Sequence, residues 1–161
     1  MRRSLTTVAA AAVLLLPVAS VDGVATAAGQ AKEPGSAPAT LCTYRDAFPP
    51  GGGTNIGGVP PRYKYTYTPY AGARFDGCTN TLKVYYGGYS NPRYAYYEIS
   101  YTYPSRFGWF TWQMGMGERQ VATVQGPAHG DWNFKVRACA RSIDEGPHCT
   151  GWSPQLFLHA V

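Results

Sequence analysis

"WNFKVRACARSIDEGPHCTGWSP", residues 132–154, decides how this chain folds. Trp132, Phe134, Val136 and Ala138 recur at every second position, which puts them on one face of an extended strand with Asn133, Lys135 and Arg137 on the other. The alternation ends at Cys139. A loop with "RSIDEG" at its tip follows, then Cys149, then the apolar run "WSPQLFLHA". Two strand-like runs joined by a short loop with a cysteine at each end read as a stapled hairpin.

The same period extends upstream. "TLKVYYGGY" places Leu82, Val84 and Tyr86 together, "YYEISYTY" places Tyr97, Ile99 and Tyr101 together, and "FGWFTWQMG" and "ERQVATVQG" supply two shorter runs. Gly/Pro turns separate them. Thirteen Tyr, four Trp and six Phe against three Met suit pleated sheets, where aromatic rings pack across strands. Helix signals are nearly absent. Six strands at this spacing indicate an all-β sandwich.

The first residues, "MRRSLTTVAAAAVLLLPVASVDGVATAA", have the basic start, apolar run and small-residue end of a secretory signal peptide. Cleavage is expected after Ala27, with Ala28 the alternative, so 1–27 is signal peptide and the mature chain is secreted and extracellular. The apolar run is too short to span a bilayer, and no membrane insertion is expected after cleavage. Residues 28–41 are a Pro/Gly/Ala leader without large apolar side chains, expected to be disordered. Residues 42–78 form a Gly/Pro-rich extension in which "RYKYTYTPY" alternates Tyr63, Tyr65 and Tyr67 with Lys64, Thr66 and Thr68. That reads as one strand packed on the sandwich of residues 79–161, and "ARFDGC", residues 73–78 at the end of the extension, is where the first strand of the sandwich is expected to begin.

Losing Arg2, Arg3 and Asp22 lowers the net charge from +5 to about +4, and the basic residues are scattered singly. A nucleic-acid binder concentrates Lys and Arg into a stripe, so nucleic acid is not an expected partner. The four cysteines, Cys42, Cys78, Cys139 and Cys149, form an even set in a secreted chain and read as two disulfides. Of three possible pairings, the flanked loop favours Cys139–Cys149, leaving Cys42–Cys78. There is no C-x-x-C, and His129, His148 and His159 are not spaced as co-ligands, so no metal or other cofactor is expected.

Leu82, Val84 and Tyr86; Tyr97, Ile99 and Tyr101; Trp132, Phe134, Val136 and Ala138; and Trp152, Ser153 and Pro154 together resemble the core motifs of a fibronectin type III domain over residues 73–161. The resemblance implies a fibronectin type III or immunoglobulin-like β-sandwich. Two departures stand out. Tyr86 occupies the usual core Trp position, and Trp132 the usual corner Tyr, where an indole N–H replaces the hydroxyl as donor. "CTGWSP" is also similar to half of the tryptophan–arginine ladder of cytokine-receptor modules, which implies that the Arg137 cation lies over the Trp152 ring.

Catalysis has little to stand on. Every cysteine is expected to be bridged, no G-x-S-x-G elbow occurs, and Asp131 beside His129 reads as a turn residue. Glu98 is the one acid on a confident strand, and cross-strand pairing with Lys135 accounts for it. The chain is therefore read as a non-enzymatic, monomeric binding module for extracellular protein or polysaccharide. The candidate ligand-binding rings are Tyr85, Tyr89, Tyr94, Tyr96, Trp109 and Trp112, which suit stacking on sugar faces or protein partners. The alternative is a protease inhibitor acting through the 139–149 loop, with Arg141 and Ser142 as the protease-facing bond and Asp144 and Glu145 as acidic contacts.

Overall fold

The computed structural model describes residues 42–89, 93–141 and 148–161. The chain divides into two units, Met1–Ala39 and Thr40–Val161, and the expected signal peptide and leader lie outside the described residues. Within the second unit the chain runs through β1 (Tyr44–Asp46), β2 (Thr54–Asn55), β3 (Tyr63–Lys64), β4 (Tyr70–Asp76), β5 (Thr81–Tyr89), β6 (Tyr96–Tyr103), β7 (Arg106–Gly115), β8 (Gly117–Gln125), β9 (Gly130–Cys139) and β10 (Leu156–Ala160).

Two antiparallel sheets form a β-sandwich. One follows the order β2-β3-β4-β5-β8, with β1 also paired to β4, and the other the order β10-β9-β6-β7. One edge of β4 carries two short partners, because β3 meets it at Ala71 and β1 at Arg74–Asp76, while β5 takes the other edge. Period-2 side chains fill the space between the sheets. Phe75, Leu82, Val84 and Tyr86 from one layer face Tyr97, Ile99, Phe134, Val136, Leu156 and Leu158 from the other, all buried. Each such side chain contributes on the order of 1.5–3 kcal/mol by leaving water.

The extension departs from its expected form. Only Tyr63–Lys64 of "RYKYTYTPY" is strand. Tyr65 to Thr68 turn instead: Thr68 N donates to the Tyr65 carbonyl at 3.3 Å, and Tyr67 takes a φ of +61°. A left-handed residue breaks the pleat and Pro69 offers no ladder donor, so Tyr63, Tyr65 and Tyr67 do not share a face. The strand that enters the sheet is β4, "YAGARFD". Its inward face is Ala71, Ala73 and Phe75, and Gly72 faces outward. A Cβ on Gly72 would sit 2.7 Å from the Pro61 carbonyl, so only glycine lets the preceding chain cross the sheet there.

The corner of the sandwich is closed by indole. Trp132 Nε1 donates to the Ala128 carbonyl at 2.9 Å, four residues upstream. The disulfides join Cys42 to Cys78 and Cys139 to Cys149, with Cα–Cα distances of 5.1 Å and 4.0 Å. The second staple is reinforced by backbone: Ala140 N donates to the His148 carbonyl and Thr150 N to the Ala138 carbonyl, both at 2.8 Å.

Candidate functional site

The outer face of the four-stranded sheet is a ladder of cations and rings. "WSP" builds one side of it. Ser153 N donates to the Val136 carbonyl at 2.8 Å, and the buried Ser153 hydroxyl accepts from Val136 N at 2.9 Å, which docks the segment along β9. Trp152 is thereby laid beside the outward residues of β9. Arg137 lies 4.5 Å from the Trp152 ring centroid, Lys135 4.9 Å from the same ring and 4.4 Å from that of Trp109 on β7. Contacts of this kind contribute about 0.5–1 kcal/mol each where exposed.

Register decides which cation meets the acid of the face. Glu98 stands opposite Arg137, and Ser100 opposite Lys135. Arg137 Nε donates to Glu98 Oε2 at 2.7 Å and its Nη2 lies 2.6 Å away. The expected Glu98–Lys135 pair is therefore replaced by Glu98–Arg137, and Lys135 is left to the two indoles. Further along, Asn133 Nδ2 donates to Thr102 Oγ1 at 3.0 Å, Gln155 Nε2 to Asn133 Oδ1 at 2.9 Å, and His159 Nδ1 meets Asp131 Oδ1 at 2.6 Å. Thr102, Asp131 and Asn133, with the β6–β7 turn and Phe107, line a depression of about 450 Å³.

The six candidate rings do not form one platform. Of them only Trp109 is exposed, at 44%; Tyr96 is buried, with Arg141 5.8 Å over its ring. Trp112 points the other way, into the aromatic cluster between the sheets, 4.1 Å from Tyr101. Tyr89 and Tyr94 pack edge to face at 5.1 Å against the core. Tyr85 lies half-buried on the opposite sheet with Arg62 5.8 Å over it. Of the loop residues, Ser142, Asp144 and Glu145 lie outside the described residues.

Sequence reasoning missed Phe107, which is fully exposed at 103%, and Tyr67, at 87%. Phe107 sits two residues before Trp109, yet Gly108 between them takes a φ of +102° and the β6–β7 register shifts over this stretch, so simple alternation does not carry from one ring to the other. Tyr67 gave no signal either, since its exposure follows from the turn. Potential metal donors gather at one place among the described residues, Glu98 with Cys139 and Cys149, and both sulfurs there belong to a disulfide.

Behind these faces the core holds its phenols neutral. Burial pushes the Tyr97 hydroxyl up to about 12, and burial likewise raises Tyr70, Tyr86 and Tyr89. Tyr97 Oη accepts from Tyr89 N at 3.0 Å and donates between the carbonyls of Tyr89 and Gly117, at 2.9 Å and 3.0 Å. It thereby ties β6 to β5 and β8 from the interior.

No protein-family model matches the chain, and neither a curated protein nor a solved structure is significantly similar to it.

Proposed function

We propose that the protein is a secreted, non-catalytic binding module of fibronectin type III-like architecture, reaching an extracellular polysaccharide or protein through the outer face of its four-stranded sheet. The observation that carries this reading is the exposed Phe107 beside the hydrogen-bonding row Thr102, Asn133 and Asp131, with the exposed Trp109 on the same strand over Lys135. Flat rings next to amide, hydroxyl and carboxylate groups suit a ligand that is apolar on its faces and polar at its rim, as a sugar ring is. The cation beneath Trp109 and the hydrogen-bonded docking of "WSP" hold that face in place before any ligand arrives, which reduces the ordering cost of binding.

Secretion is supported by the layout of the first 27 residues and is compatible with the two disulfides. The family resemblance is supported by where its motifs fall: Leu82–Tyr86 in β5, Tyr97–Tyr101 in β6, Trp132–Ala138 in β9 and Trp152–Pro154 leading into β10. The experiment is a capture assay with the mature chain as bait against extracellular proteins and insoluble chitin and cellulose. Retention of one ligand by the wild type and its loss in a Phe107→Ala/Trp109→Ala double variant is the expected result. Retention by both proteins, or by neither, counts against this face.

A further inference from the structure

The six-stranded sheet carries a second surface of different chemistry. Where the extension crosses its outer face over Gly72, two depressions of about 430 Å³ and 370 Å³ adjoin and share Lys64, Thr68 and Gly88. The first is walled by Tyr65 and Tyr67, whose rings are 43% and 87% exposed, and the second by Arg62 and Arg119.

Three cations, Arg62, Lys64 and Arg119, line this groove with one acid, Glu118, among the described lining residues. Arg62 lies over two rings, 5.4 Å from the Tyr70 centroid and 5.8 Å from that of Tyr85, and its buried Nε has no hydrogen-bond partner. Among the described residues neither Arg62, Lys64 nor Arg119 is in an ion pair. The Glu118 backbone carbonyl accepts from the Tyr70 hydroxyl at 3.0 Å. Glycine is required at position 87, next to the lining Gly88, because a Cβ there would sit 2.1 Å from that same carbonyl. A guanidinium held on tyrosine rings is pre-placed to receive a carboxylate and forms stronger hydrogen bonds to it than to a neutral group.

We propose that this groove binds the uronate units of an acidic polysaccharide. Arg62, Lys64 and Arg119 face the carboxylates, and the rings of Tyr65 and Tyr67 lie against the sugar faces. The hydroxyls of Thr54 and Thr66 along the first depression supply partners for sugar hydroxyls. Three cations in a short groove match spaced single charges better than a continuous phosphate backbone, for which a longer basic track is expected. The site is on the opposite sheet from Trp109 and stands whether or not that face binds.

The test is calorimetric titration of the mature protein with polygalacturonate fragments, the methyl-esterified polymer and single-stranded oligo-dT serving as comparison arms. Binding of the acid form is expected, weakening as salt rises, with no binding of the ester. Lys64→Gln and Arg119→Gln, both at exposed positions, should each weaken it roughly tenfold at an unchanged melting temperature. Trp109→Ala should leave it intact. Arg62→Gln removes the central cation but also the packing on Tyr70 and Tyr85, so it is read together with its melting temperature. Equal affinity for acid and ester, or for acid and oligo-dT, or indifference to both Lys64→Gln and Arg119→Gln, would overturn the proposal.

Discussion

Arg137 and Glu98 face each other across β9 and β6, joined through Nε at 2.7 Å, with the guanidinium also 4.5 Å from the Trp152 ring. Glu98 is nearly buried, so removing the cation leaves a desolvated carboxylate without its partner. Arg137→Met is expected to cost about 1–3 kcal/mol in urea unfolding, and more than Glu98→Gln, which keeps an acceptor for the guanidinium. Equal costs would mean that the pair behaves as an ordinary surface ion pair.

Trp132 permits a cleaner substitution. Phenylalanine keeps most of the ring that stacks on Phe134 at 5.8 Å but cannot donate to the Ala128 carbonyl. Trp132→Phe is expected to lose about 1–3 kcal/mol, combining the lost bond with a small cavity. A change within a few tenths of a kcal/mol would show that the corner bond is exchanged freely for water.

The buried phenols set the alkaline limit. The folded state holds Tyr97 at about 12 against 10.0 for the exposed group. Folding therefore favours its protonated form: the stabilisation is fully present below pH 10 and is lost as pH rises from 10 through 12. The difference corresponds to roughly 2–3 kcal/mol, and Tyr70, Tyr86 and Tyr89 act in the same direction. Unfolding followed by circular dichroism should show stability falling over that window, with a shallower fall in Tyr97→Phe, which starts less stable because the Tyr89 and Gly117 groups lose their partner. An identical slope in the variant would rule out Tyr97 as a source.

The disulfides differ in the loops they close, with sequence separations of 36 and 10. On chain entropy alone, replacing Cys42 and Cys78 by serine is expected to cost about 4 kcal/mol and replacing Cys139 and Cys149 about 3 kcal/mol. The backbone bonds of Ala140 and Thr150 remain to hold the shorter loop, which widens the gap in the same direction. Non-reducing peptide mapping with these two linkages, followed by denaturation of each double variant, checks both pairing and order.

What could be read from sequence alone follows the range of the forces involved. Leu82–Tyr86, Tyr97–Tyr101 and Trp132–Ala138 announce their faces because alternation is local and a half-buried strand imposes it. β4 gave a weaker signal: its inward residues are two alanines and a phenylalanine, and its outward glycine is required by a chain crossing from eleven residues upstream. The tyrosines of "RYKYTYTPY" mimic the same alternation, yet Thr68 closes a turn through them. The partner of Glu98 depends on a cross-strand register that no short stretch encodes. Likewise the groove at Arg62 exists only once residues 54–68, β5 and β8 have come together.

The central claim is that the face bearing Trp109 engages a ligand, and tryptophan emission tests it most directly. The mature protein is titrated with soluble chitin and cellulose fragments, and with any extracellular protein captured by the bait, while emission and acrylamide quenching are followed. The account predicts a saturable shift with loss of quenching at the 44% exposed Trp109. Trp109→Ala should retain its fold and lose at least about tenfold in affinity, the scale of one stacked ring measured at nucleic-acid sites. Unchanged wild-type emission with every ligand, or undiminished affinity in Trp109→Ala, would contradict it.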